Sequence, residues 1–408
     1  MTVAFDPRAP GFMAAPHAAY RALRALGPVF HEASSGIFYV LDHALAVEML
    51  RAPDRFSSAV DRAGMRAGGL PPEVAEIRRQ GWPLAPTLSH NDGPSHDAFR
   101  ALVAPMFLPR GLARIAPFVE ARVAELVAAL PAGAPVEFVS AFAVPLPISV
   151  IGELLGMRHL GDATLKRWSD AFADELGFLT SDRRAIEIAE ETLACHRAMM
   201  ALVEARRGTT GEDALTLLAN ASVDGRPLTP GEILSLATQL LVAGNETTTA
   251  TLAFALLRLA EAPALWARLA SERRLIPRFV EEVLRLDCPI QGQFRKAVAD
   301  ETLGGVAIPA GSLLHVRFAA ANRDPALFGP EADSLRLDGP APAPHLAFGM
   351  GLHFCVGAAL SRLEIAAALQ ALLDRFEGVF LAAETDALPF RTHFHHRNLL
   401  ALPLRFAG

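Results

Sequence analysis

Four short stretches set chemically capable residues close together. In "FGMGLHFCVG", residues 348–357, Cys355 follows Phe348, Gly349, Gly351 and His353 and precedes Gly357. Cys195, Cys288 and Cys355 are odd in number and widely spaced, which suits neither a disulfide framework nor a closed zinc site. At most one of them does chemistry. In "LVAGNETTTA" a small residue, Gly244, stands beside the acid–alcohol neighbours Glu246 and Thr247. Such a pair can bind water and pass protons, while a glycine lets a bulky group approach the backbone. The blander reading has the threonines bonding back to carbonyls one turn earlier and Glu246 meeting an arginine. "SHDAFR" puts His96 and Arg100 four apart on one helical face, where the bland reading is a solvated surface pair. "EEVLR" gives Glu282 and Arg285 at a spacing of three, and Arg295 follows in "QGQFRKAV".

The elements that must position these residues are mostly helices. Apolar residues recur at three- and four-residue intervals in "AAYRALRAL", "ALAVEMLRA", "GLARIAPFVEARVAELVAAL", "PLPISVIGELLGM" and "AIEIAEETLACHRAMMALVEARR". Short β-type runs occur at 37–41, in "LGGVAIPAGSLLHVRF" and in "LLALPLRF", and predict small peripheral sheets. The polar knot lies inside one long helix. Thr229 is its expected N-cap, Pro230 its first residue and Glu232 the closing member of a capping box, with the end just before Pro263. At 1.5 Å per residue it would run about 48 Å. Its middle is too polar for a membrane span, since an acid at mid-bilayer costs about 2.5 to 3.5 kcal/mol.

Composition narrows the function classes. The 408 residues are half apolar and one-fifth charged, with 24 Phe against two Tyr, the balance of a folded chain with a large core. A net charge of −6 with no basic, aromatic-interleaved cluster gives no footprint for nucleic acid. The N-terminal stretch has no basic segment followed by an apolar run, so a cytoplasmic protein without a membrane anchor is expected. No linker, repeat or low-complexity tract divides the chain, and one domain over residues 1–408 is the economical reading.

"FGMGLHFCVG" resembles the cysteine loop of the cytochromes P450, matching at Phe348, Gly349, Gly351, His353, Cys355 and Gly357. "SHDAFR", "AGNETT", "EEVLR" and "ANRDP" follow the family's chain order, so the resemblance covers essentially the whole chain. It implies a mainly α fold with small β-sheets, a triangular helical prism enclosing haem between a long central helix and the cysteine loop. It further implies haem b with Cys355 as axial iron ligand, whose thiolate favours O–O cleavage. The loop glycines would allow close approach and turn N–H groups toward sulfur, and Phe348 would shield it. His96, Arg100, Arg295 and His353 would take the haem propionates. Ala243 and Gly244 would lie against the distal face, and Glu246 and Thr247 would deliver protons. Glu282 and Arg285 would support the loop, with Arg336 the nearest third partner, in a displaced register.

The resemblance implies a monooxygenase that hydroxylates a medium-sized hydrophobic molecule such as a terpenoid, an aromatic or a steroid. Its expected lining includes Met65, Leu70, Trp82, Phe178, Leu241, Ile290, Phe294 and Phe394, with Gln291, Gln293 and Asn245 as hydrogen-bonding groups. Three cysteines cannot hold both an iron–sulfur cluster and the haem thiolate, and no flavin-type glycine fingerprint is present. A separate ferredoxin with its reductase is therefore the expected electron donor to a monomeric chain, with Arg362 a candidate contact or an ordinary exposed arginine. The alternatives are a haem-thiolate peroxygenase or isomerase and, in another class, a non-catalytic haem sensor or apolar-ligand carrier.

Overall fold

The computed structural model describes residues 5–61, 66, 68–340, 343–385 and 388–408, so Met65 of the expected lining lies outside the described residues. The chain forms two compact units. One comprises Met1–Ser58, Val119–Leu146 and Thr247–Gly408, the other Ala59–Phe118 and Pro147–Glu246.

The expected helices are present with modest changes at their ends: Pro16–Arg24, His43–Arg51, Pro109–Ala129, Pro145–Leu155 and Asp182–Arg206. The long helix runs Pro230–Glu261. Its capping box closes as the sequence requires. Thr229 N–H donates to Glu232 Oε2 at 2.8 Å, and Glu232 N–H donates to Thr229 Oγ1 at 3.3 Å. Two hydrogen bonds from Arg226 then hold the Glu232 carboxyl down at about 2. This helix is long and apolar enough by composition to cross a membrane, and 78% of its apolar window is buried within the protein.

The first unit carries a five-stranded sheet ordered Val29–Glu32, Ile37–Val40, Leu313–Val316, Gln293–Ala297 and Phe56–Ser57. Leu314 pairs with Arg295 and His315 with Phe294, so the sheet fixes where Arg295 lies. A three-stranded sheet joins Gly378–Leu381, Pro403–Ala407 and Pro135–Glu137. Phe406 from it meets Phe376 at 4.6 Å and Phe138 at 6.2 Å, an aromatic cluster in this unit's core. Burying each such ring contributes about 1.5 to 3 kcal/mol. In the second unit, Leu165, Trp168, Phe172, Met199, Val203 and Leu236 are buried on helices whose apolar stripes the sequence periodicity marks.

Candidate functional site

The first unit holds the cysteine loop. Residues Gly351–His353 form one 3₁₀ turn, and the helix Ala358–Arg375 begins three residues after Cys355. Cys355 N–H donates to Phe348 O at 2.9 Å, which closes the loop on itself. Its thiol side is exposed, whereas Cys195 and Cys288 are buried and burial pushes both of their thiols well above the ordinary range. Only Cys355 is therefore set up as a ligand. Gly349 and Gly351 have φ of 66° and 70°, in the left-handed region. A Cβ on Gly351 would lie 2.3 Å from Leu50 O, so this glycine is compelled by the end of the helix His43–Arg51. Gly357 has φ −85°, outside the left-handed region.

His353 Nε2 and Ser58 Oγ share a hydrogen bond at 3.0 Å, which ties the turn to the strand Phe56–Ser57. Arg295 is buried and donates to Phe294 O at 2.7 Å. A buried guanidinium, an imidazole two residues before an exposed cysteine, and that thiol are donor types suited to a flat, carboxylate-bearing group with a metal at its centre. These residues fit haem.

Glu282 and Arg285 are both buried, and two hydrogen bonds of 2.8 Å join them in a fork. Arg285 also donates to the carbonyls of Asn322, Ala332 and Ser334. Arg336 enters differently from expectation. Its backbone N–H donates to Glu282 Oε2 at 2.9 Å, while its guanidinium turns away to Phe328 O. Backbone groups replace a third side chain here, which accounts for a register that the residue pattern could not match.

In the second unit, His96 is buried on the helix Gly93–Val103 with Nδ1 3.2 Å from Asp97, and Arg100 is half-buried one turn later. Glu246 is buried as well. Its Oε1 accepts from Lys166 Nζ at 2.9 Å, and the same ammonium donates to Asp170. The bland expectation of an arginine partner is corrected: the cation is one of the chain's two lysines. Burial first, then the Glu246 charge, push Asp170 up to about 6 against the pull of Lys166. Lys166 and Asp170 stand four apart on the helix Asp162–Gly177, and a lysine so rare in an arginine-rich chain was the signal available in the sequence.

Gly244 has a packing role that the sequence did not reveal, because a Cβ there would meet Ile151 Cδ1 at 2.9 Å. Ala243 is exposed although residues 240 and 241 before it and 245 and 246 after it are buried. Thr247 follows Glu246 directly, half-buried, and its carbonyl accepts from Thr251 Oγ1 at 2.8 Å.

The expected lining divides. Leu241 is completely buried in the core. Gln291 is also fully buried, its amide spent on Cys288 O at 2.7 Å and on the Tyr20 hydroxyl at 2.9 Å. Asn245 is buried and donates to Ser169 Oγ at 3.0 Å. These three side chains are buried, and Gln291 and Asn245 make hydrogen bonds within the protein. Phe294 and Phe394 stack at 5.4 Å, with the fully buried guanidinium of Arg317 over Phe394 at 4.9 Å. Gln293 and Ile290 are half-buried nearby in sequence, and Trp82 and Phe178 are half-buried in the second unit, where Leu70 is exposed.

A family model described as cytochrome P450 matches residues 157–401. The chain is 34% identical over 407 residues to the cytochrome P450 monooxygenase PikC of Streptomyces venezuelae, covering 97% of this chain and 92% of that protein. It is 30% identical over 393 residues to a steroid C26-monooxygenase of Mycobacterium tuberculosis, covering 95% and 93%. The solved structure of cytochrome P450 CYP109Q5 from Chondromyces apiculatus superposes with a TM-score of 0.86 at 31% identity, covering 100% of this chain and 99% of that one.

Proposed function

The chain belongs to the cytochrome P450 family, and we propose that it hydroxylates a medium-sized hydrophobic molecule, of terpenoid, aromatic or steroid kind, with electrons from a separate ferredoxin and its reductase. The observation that carries this reading is the exposed Cys355 thiol at the tip of a glycine loop closed by Phe348 O. Haem b held through that thiolate supplies the activation of dioxygen.

The remaining work belongs to side chains of this protein. Arg295 and His353 would hold haem carboxylates by charge-assisted hydrogen bonds, and the resemblance gives His96 and Arg100 the same role. Glu246 and Thr247 are the acid–alcohol pair that delivers protons. Lys166 and Asp170 set when Glu246 is free to act, because the ammonium can hold only as much of each carboxylate as the other releases. Ala243 leaves room beside the helix, and the lining is drawn from Leu70, Trp82, Phe178, Ile290, Gln293, Phe294 and Phe394. This reading places the protein in the cytoplasm as a monomer.

The test has two stages. Reduced, haem-loaded protein under carbon monoxide is expected to show the strongly red-shifted Soret band of a trans thiolate; a histidine-type band sinks the assignment. Compounds that shift the iron spin state are then supplied with ferredoxin, ferredoxin reductase, NAD(P)H and O₂. Hydroxylated product is expected, and ligand-dependent spectra without any product would instead mark a sensor or carrier.

A further inference from the structure

Arg362, a candidate contact for the electron donor on sequence grounds, is engaged within the protein. Its Nε donates to Glu281 Oε1 at 2.6 Å and its Nη2 to Glu281 Oε2 at 2.8 Å, a two-pronged hold from the neighbouring helix Ile276–Asp287. The guanidinium carbon lies 4.5 Å over the Phe348 ring. Glu281 Oε2 also lies 3.1 Å from His345 Nε2. Because Ala347 N–H donates to His345 Nδ1 at 3.2 Å, that nitrogen is the acceptor and Nε2 carries the proton given to Glu281. The His345 ring stands 5.9 Å from Phe348. A closed circuit results: Glu281 holds Arg362 and His345, these flank Phe348, and the Phe348 carbonyl takes the Cys355 N–H at 2.9 Å.

We propose that Glu281, Arg362 and His345 are positioning residues for the cysteine ligand, fixing Phe348 and holding the Arg362 guanidinium over its ring, so that they set the iron's reduction potential. This rests on the haem-thiolate reading above. The geometry explains why a charged pair is kept beside an apolar shield. A fork on Glu281 orients the guanidinium plane over the ring, which a point charge on a flexible stem does not do. The arginine is also electrostatically aware of the ligand. The hydrogen bonds it donates to Glu281 are the main reason its pKa is raised, and the Cys355 charge adds to that rise. Reduction of the iron adds one electron to a thiolate-bound centre, so a nearby cation favours the reduced form.

The experiment uses haem-loaded protein and chemical mediators, without any protein partner. Arg362→Gln is expected to lower the reduction equilibrium constant about tenfold, a shift of about 59 mV for one electron toward negative potential, and to move the reduced carbonyl Soret band. Arg362→Lys retains charge without the fork and is expected to recover part of the potential but not the band position. Glu281→Gln, nearly isosteric, loosens the hold and is expected to move the band the same way as Arg362→Gln; it also serves if that variant loads haem poorly. If neither Arg362→Gln nor Glu281→Gln moves potential or band, the proposal falls. A wild-type carbonyl band of histidine type would instead overturn the underlying haem-thiolate reading.

Discussion

Individual residues here are held by unusually specific partners, and their replacement has calculable consequences. Arg285 donates to one carboxylate and three carbonyls inside the protein. Arg285→Ala leaves Glu282 charged and unpaired, so a loss of about 3 to 5 kcal/mol is expected in urea unfolding. A loss under 1 kcal/mol would show that backbone donors such as Arg336 N–H suffice. Asp170 makes a different kind of prediction. The fold raises it from 3.8 to about 6, so the folded chain binds its proton more tightly than the unfolded one. Its contribution to stability is therefore full below pH 3.8 and is lost as pH rises through about 6. The same titration reallocates Lys166 between Asp170 and Glu246. The fraction of electrons lost as hydrogen peroxide is expected to change with a midpoint near pH 6, and Asp170→Asn to abolish that midpoint. Thr247→Ala is expected to raise peroxide at every pH, and unchanged coupling would remove its assigned role.

At the scale of elements, what the sequence made legible was whatever repeats or caps. The central helix could be read from Thr229 to its end because a capping box and Pro263 bound a single apolar run. The cysteine loop was legible because six positions constrain one another within ten residues. Contacts between elements distant in sequence were not legible. Lys166 meets Glu246 from 80 residues away, and Arg362 meets Glu281 from 81. Gly351 reads as a loop glycine, yet its constraint is Leu50 O, three hundred residues earlier. Gln291 reads as a hydrogen-bonding group of a substrate lining, and its bonds to the Tyr20 hydroxyl and the Cys288 carbonyl could not be read from the sequence. Such pairings also set the acid limit of the helices of the second unit. His196, on Asp182–Arg206, is buried against Phe172 and shares a 3.2 Å hydrogen bond with Thr238 Oγ1. Burial lowers it from 6.5 to about 4, so the fold keeps it neutral while the unfolded chain protonates. Stability is expected to fall as pH drops from 6.5 to about 4, by about 3 kcal/mol from this group. Urea unfolding of His196→Gln between pH 7.5 and 4.5 should lose correspondingly less than the parent; an equal loss would assign the acid sensitivity elsewhere.

For the molecule as a whole, buried cations and an exposed thiol pose one energetic question. Arg295 is withdrawn from water, and Cys355 presents its sulfur on a loop held in left-handed backbone at Gly349 and Gly351. A ligand that binds only the folded state adds to stability by mass action. For a site a hundredfold above its dissociation constant the gain is about 2.7 kcal/mol. Removing haem from the purified protein is therefore expected to lower the unfolding free energy by at least this amount, and re-adding it to restore the difference. Cys355→Ser keeps the side-chain size but forfeits a soft ligand, so its loaded and unloaded forms should differ by less. Hydrogen exchange locates the effect. Protection gained on loading should concentrate at residues 348–357, where the Cys355 N–H is already committed to Phe348 O, and around the half-buried turn at 242–247. If loading protects all helices equally and neither stretch selectively, haem does not bind through this loop.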